Sequence, residues 1–410
     1  MPLTISRSMA LPSMRVKPFA ITTIAGIPLY VYAVSLASLF TIWGILWDIS
    51  WHTTIGRDQF LSPPHLLIYL GAVFGGLFSG IQVLINTFSS SDSVKKSLVR
   101  IWGVFYSSLG ALFCIWGAIA MLTSAPFDDW WHNTYGLDVV ILSPPHVLLG
   151  LGMLFLQFGA CVSICNYLNK HPDELRKSAS AVGLSQQKRV LQFLFIVSAS
   201  SLLSMVCTLL NEFLDTRNQR TGLFYQVAAV AVLMFLPAFR KALRMKWGMT
   251  SVALGYFLIF ALCNWTLQLF SAVPKLGPIL NPVTHYQPFQ FPLLLVIPAI
   301  ALDALIQNTK MNQWLLAAAV SVVFVTALML VQYPFSGFLL QSPSARNLFF
   351  GSHSWYYGAD PNWEYRFKFQ SNEIEQWPVL MGRAAIAVLL GLVVSRVSLR
   401  WGTWMQSIQR

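Results

Sequence analysis

Runs of about twenty apolar residues recur along nearly the whole chain, and such runs are long enough to cross a bilayer as helices. Ten are read here: 27–47, 64–88, 101–123, 144–168, 190–211, 221–239, 248–270, 291–307, 314–333 and 379–396. The run at 291–307 is the shortest and contains prolines. In hydrocarbon every backbone N–H and C=O must be paired within the protein, which leaves helices and closed barrels as spanning structures. With 56% hydrophobic and 10% charged residues and a mean hydropathy of +0.60, the chain is an all-α polytopic membrane protein by this reading. A soluble globular fold is excluded on the same ground.

The net charge of +12 follows a topological pattern. Arg7, Arg15 and Lys17 precede the first run, and Lys95, Lys96 and Arg100 follow the second. Lys170, Arg176, Lys177, Lys188 and Arg189 follow the fourth, and Arg240, Lys241, Arg244 and Lys246 follow the sixth. Lys310, Arg396, Arg400 and Arg410 complete one face, which the positive-inside rule assigns to the cytoplasm. Both termini then lie inside, in the plasma (inner) membrane of a bacterium, with membrane lipid as a partner. Nucleic acid is not an expected partner, because no basic patch interleaved with aromatics stands outside the membrane. The five cysteines, Cys114, Cys161, Cys165, Cys207 and Cys263, fall inside the runs and read as packing residues.

One phrase is written twice. Asp48-x3-His52, Gly56, Asp58 and Ser62-Pro63-Pro64-His65 reappear as Asp128-x3-His132, Gly136, Asp138 and Ser143-Pro144-Pro145-His146. The offset is 80 residues as far as Asp138 and 81 at His146. Both copies lie on the extracytoplasmic side of the expected topology, each between two runs. The expectation is therefore a parallel internal repeat of two helical hairpins across 27–168. Around it the chain divides into a cytoplasmic N-terminal segment (1–26), read as an uncleaved anchor region, and a cytoplasmic loop (169–189). Further transmembrane helices (190–333), an aromatic-rich extracytoplasmic insertion (334–378), and a last helix with a basic C-terminus (379–410) follow. Within the insertion, 364–369 alternates polar and aromatic residues as a strand does.

Asp48 and His52 share one helix face at i,i+4. Serine before two prolines reads as a helix start, with the hydroxyl as cap and proline at a position that needs no N–H. His65 then lies in the first turn of the next helix, opposite His52, and the second copy predicts the same for Asp128, His132 and His146. Imidazole and carboxylate together suit copper, iron or zinc, and three ligands leave positions open for chemistry. The six residues make either one dinuclear centre or two separate ones. Asp58 and Asp138 are read as extra ligands, as acceptors that orient a histidine ring, or as turn caps. Trp47, Trp51, Trp130 and Trp131 are expected to exclude water. The bland readings are a hydrogen-bonded structural duplicate and a proton or ion path. Asn281, His285, Tyr286, Glu212, Asp215, Arg217 and His353 read as outer-loop residues, and Asp303 as meeting water or Lys310.

Asp48-x3-His52-x12-His65 resembles the metal-binding pattern of the C subunit of copper membrane monooxygenases, the particulate methane and ammonia monooxygenase group. The likeness covers under a tenth of the chain, and Asp128-x3-His132-x13-His146 departs from it by one residue. The resemblance implies Asp48, His52 and His65 as copper ligands and an oxidase or monooxygenase activity. It is consistent with a hydrophobic small-molecule substrate and an electron-donor protein or partner subunits. Methane and ammonia are not carried over. The rival expectations are a metal- or proton-handling transporter on the same residues, a zinc hydrolase, and axial ligation of haem.

Overall fold

The computed structural model describes residues 22–136, 143–170, 181–351, 356–360, 362 and 369–409. Ten long or medium helices build it: α1 (Leu29–Thr54), α2 (Pro63–Phe88), α3 (Leu109–Tyr135), α4 (Pro144–Lys170), α5 (Ala181–Leu209), α6 (Gly222–Leu243), α7 (Gly248–Leu267), α8 (Val296–Asn308), α9 (Gln313–Gln341) and α10 (Trp377–Ser407). Sheet among the described residues is confined to two short antiparallel ribbons, Thr23–Ile24 with Ile27–Pro28 and Val99–Ile101 with Phe105–Ser107. Among the described residues nine helices are long and apolar enough to cross a membrane. The protein is an integral membrane protein of the all-α class.

The first four helices form two hairpins, α1 on α2 and α3 on α4, joined where α2 packs on α3. In the second hairpin the backbones nearly touch. A Cβ added to Gly117 would lie 2.6 Å from the Gly152 carbonyl oxygen, and one on Gly152 would lie 2.9 Å from that of Gly117. Small residues at such crossings let helices associate without a hydrophobic driving force between them. All five cysteines are buried and unpaired, as packing residues would be.

The eighth apolar run departs from expectation. It is not a transmembrane helix: α8 has 13 residues, which at 1.5 Å per residue reach about 20 Å against a hydrocarbon thickness of about 30 Å. Pro288 and Pro292 lack the N–H that a helix needs, so the chain before α8 runs extended. Side chains of other helices supply its hydrogen bonds. Gln287 N–H donates to Thr54 Oγ1 (2.8 Å), Phe289 N–H to Asn264 Oδ1 (3.2 Å), Leu293 N–H to Tyr256 Oη (3.2 Å) and Leu294 N–H to Gln332 Oε1 (2.9 Å). Non-helical backbone is tolerated inside a bundle where protein takes over this pairing. The segment begins beside Thr54 and α8 finishes beside Lys246, whose carbonyl accepts from Gln307 Nε2 at 3.0 Å. The eighth passage is thus a broken one.

Asp303 on α8 meets neither water nor Lys310, correcting the expectation from sequence. It is fully buried. Its carboxylate accepts from Arg240 Nε at 2.9 Å and from the N–H and hydroxyl of Thr250 at 2.8 Å each. A carboxylate at this depth is tolerable only when paired in this way. The start and the finish of the described chain are each tied to the bundle: Gln187 Nε2 donates to the Gly26 carbonyl, and Gln406 Nε2 to the Lys241 carbonyl. Finally, α9 continues through Pro334 to Gln341, so the segment leading to α10 begins later than 334. The strand-like stretch 364–368 and His353 lie outside the described residues.

Candidate metal centres

The last turns of α1 carry Asp48 and His52, with His52 Nε2 3.8 Å from Asp48 Oδ2. The helix then stops at Gly56, whose φ of +108° is one that side chains rarely adopt. That reversal turns the chain back so that Asp58 returns to the histidines. Its Oδ2 lies 2.6 Å from His65 Nε2 and 3.6 Å from His52 Nε2. Ser62 precedes Pro63 and Pro64 at the start of α2, as expected, but its hydroxyl makes no capping hydrogen bond. His65 follows in the first turn, its Nε2 3.4 Å from Asp48 Oδ1.

The second cluster repeats this geometry. His132 Nε2 and His146 Nε2 each lie 3.4 Å from Asp128 Oδ1. His132 Nδ1 lies 3.3 Å from the Gly136 carbonyl, which directs Nε2 toward the carboxylate. Gly136 has φ +86° and ends α3 as Gly56 ends α1. Asp138 lies outside the described residues.

The six residues thus gather as two clusters. In each, one atom per residue lies within 4.8 Å of the others: Asp128, His132 and His146 in one, Asp48, Asp58 and His65 in the other. Asp58, read from sequence as an auxiliary group, belongs to the tight triplet. His52 stands at its edge, 49% exposed. The reason is the Gly56 turn, which the spacing of the phrase does not display.

The donor set suits a cation. Metal–ligand bonds of about 2.0–2.1 Å in a tetrahedron put ligand atoms about 3.3–3.4 Å apart, against the 3.4 Å found from Asp48 to His65 and from Asp128 to both of its histidines. Asp48 Oδ1 and Asp128 Oδ1 are also buried with no hydrogen-bond partner among the described residues. A buried carboxylate oxygen without a donor is costly, and a cation removes the cost. The 2.6 Å contact of Asp58 with His65 is a hydrogen bond. Burial opposes the charge on Asp58, but the imidazole N–H groups of His52 and His65 outweigh it and hold the carboxyl well below the ordinary carboxylate range.

Tyr69 was not singled out by sequence. It sits one turn along α2 from His65, its ring 6.0 Å from that imidazole, and its hydroxyl donates to the Phe60 carbonyl at 3.1 Å. Tyr69 thus stands beside the first cluster. The signal was available in the alignment of the two phrases: the equivalent position after His146 is Gly150. Tyr286, read from sequence as an outer-loop residue, packs beside the end of α1, its ring 6.4 Å from Trp47 and 6.2 Å from Trp51. Those two tryptophans pack inward, whereas Trp130 is 52% exposed and does not cover the second cluster.

Comparison with known proteins returns no matching family model, no matching curated protein and no matching solved structure. The likeness to the copper monooxygenase subunit therefore rests on the motif residues alone.

Proposed function

We propose that the protein is an integral-membrane metalloenzyme, an oxidase or monooxygenase of a hydrophobic small molecule. Its ligands are Asp48, His52 and His65, with Asp58 assisting, and Asp128, His132 and His146, with Asp138 as the corresponding candidate. Copper is the proposed metal, because the Irving–Williams order favours it at nitrogen and oxygen sites; iron is the alternative. A bound ion of either kind would supply redox chemistry toward dioxygen. The protein's own part is to hold each donor set from two helices, shield one flank of the first cluster with Trp47 and Trp51, and keep Tyr69 beside His65. The distribution of basic residues supports cytoplasmic termini and clusters at the outer side, where on this reading substrate enters from lipid and an electron-donor protein docks. The two hairpins are read as a parallel repeat.

The carrying observation is the pair of buried carboxylate oxygens, each without a hydrogen-bond donor among the described residues and each 3.4 Å from an imidazole nitrogen. Elemental analysis of protein purified after growth with copper tests it, beside His65→Ala and His146→Ala variants. Each variant should lose one cluster's share of metal and keep the other's. Metal content unchanged in both removes the sites, and complete loss in either replaces two centres by one.

The broken eighth passage supports a second reading, a metal- or proton-handling transporter, since carriers build their sites around discontinuous spans. Accumulation of copper inside proteoliposomes, abolished by His65→Ala, would establish that reading over the enzyme.

A further inference from the structure

A cavity of about 240 Å³ opens beside the extended segment, on a flank of α1 turned away from the first cluster. Ile49 and Thr53 line it, whereas Asp48 and His52 lie on the neighbouring helical row. Its volume holds about eight waters or one single-ring organic molecule.

The walls are amphipathic. Phe289, Phe291, Leu340 and Phe350 supply apolar and aromatic surface. Against them stands Gln287, only 4% exposed. Its Nε2 donates to the His285 carbonyl at 2.9 Å, which fixes the amide, and its Oε1 is left buried without a hydrogen-bond partner among the described residues. Asn211 also lines the cavity, and its Oδ1 is buried and unpartnered in the same sense. Buried acceptors of this kind take a donor from water or from a ligand. The charged residues in the lining are Asp215 and Arg217, paired with one another at 3.3 Å, so the lining carries no net charge.

We propose that this cavity binds a small neutral phenol, its hydroxyl donating to the Gln287 amide oxygen and its ring packed among Phe289, Phe291 and Phe350. Aromatic walls favour a ring in edge or offset contact, the volume limits the ligand to one ring with a short tail, and the acceptors demand an O–H. The site stands apart from the metal reading and does not depend on it.

The probes are 4-propylphenol and 4-propylanisole, which share a body and differ in the donor. Binding to purified protein in detergent is measured by equilibrium dialysis against matched empty micelles. The phenol should bind saturably and about fivefold more tightly than the anisole, the worth of one net hydrogen bond. Gln287→Met should bring the two probes to equal affinity without changing metal content, and Leu340→Trp, which fills the cavity, should abolish saturable binding of both. Uptake no greater than that of empty micelles, an anisole bound as well as the phenol, or a preference that survives Gln287→Met would overturn the proposal. Should Gln287→Met fail to fold, saturable binding that persists in Leu340→Trp overturns it independently.

Discussion

The two clusters look alike in sequence but differ in how many carboxylates the described residues bring to them, and that difference sets a measurable asymmetry. In the first, Asp48 and Asp58 both face His65, at 3.4 Å and 2.6 Å. In the second, Asp128 is the single carboxylate within reach of His132 and His146 among the described residues. Replacing Asp128 by asparagine keeps its shape and removes the one carboxylate that the described residues bring to this cluster. Loss of a group that merely supports a ligand costs about 10–100-fold in metal affinity, so loss of a direct anionic ligand should cost at least the upper figure, about 2.7 kcal/mol or more. Asp48→Asn leaves Asp58 free to swing from its hydrogen bond to the cation, and its cost should stay near tenfold, about 1.4 kcal/mol. Each site is read separately by silencing the other, with His65→Ala for the first and His146→Ala for the second. Copper affinity comes from competition with a chelator of known strength. Equal losses at the two sites would refute the reasoning, because they would mean that Asp58 does not substitute or that another carboxylate serves the second cluster.

Three further outcomes are expected. Asp303→Ala breaks a buried ion pair and strands Arg240, which should cost about 3–5 kcal/mol; thermal unfolding in detergent measures it, and Asp303→Leu combined with Arg240→Met should recover most of the loss. Gly56→Ala should destabilise more than Gly136→Ala, since both force an unfavourable φ but only at Gly56 would the new Cβ lie 2.9 Å from Tyr357 Oη; the same assay should give about 1–3 kcal/mol for backbone strain, more at Gly56. A cysteine placed at Gln59 should react with an impermeant maleimide on intact cells and one at Lys95 should not, over a low background because the native cysteines are buried; the reverse pattern would invert the proposed orientation.

The spanning helices were legible because burial in lipid imposes a length and a composition on each one separately. The motif was legible for a related reason: i,i+4 spacing and Pro-Pro before a histidine act within one or two turns. What stayed hidden depends on residues far apart in the chain. The extended stretch before α8 exists because Thr54, Asn264, Tyr256 and Gln332 replace its helical hydrogen bonds, and no window of sequence around Pro292 contains them. Asp303 and Arg240 are likewise 63 residues apart. Asp58 joined the tight triplet through the left-handed turn at Gly56, a residue whose recurrence at Gly136 marked a backbone requirement in both copies. Serine before proline suggested a cap, yet the Ser62 and Ser143 hydroxyls are both buried without a partner among the described residues.

The last two turns of α1 explain why the first cluster is the more embedded one. Successive i,i+4 rows on a helix face different directions, and here each row has its own neighbour. Trp47 and Trp51 meet Tyr286, Asp48 and His52 join the first cluster, Ile49 and Thr53 line the cavity, and Ser50 and Thr54 hydrogen-bond the backbone of Gln287. Among the described residues the end of α3 has no such surroundings: Asn133 Nδ2 donates to Asp129 Oδ2 along the same helix at 3.3 Å, and the Thr134 hydroxyl turns back to the Trp130 carbonyl at 2.8 Å. Phe127 and Trp131 pack on each other, 6.1 Å between ring centres, while Trp130 stays exposed. The same phrase therefore meets two environments. Where each row of α1 meets a neighbour, the Asp48 side chain is only 14% exposed, against 29% for Asp128. At the end of α3 the described contacts are those of the helix itself, the Gly136 carbonyl that meets His132 Nδ1, and the partner helix in the hairpin.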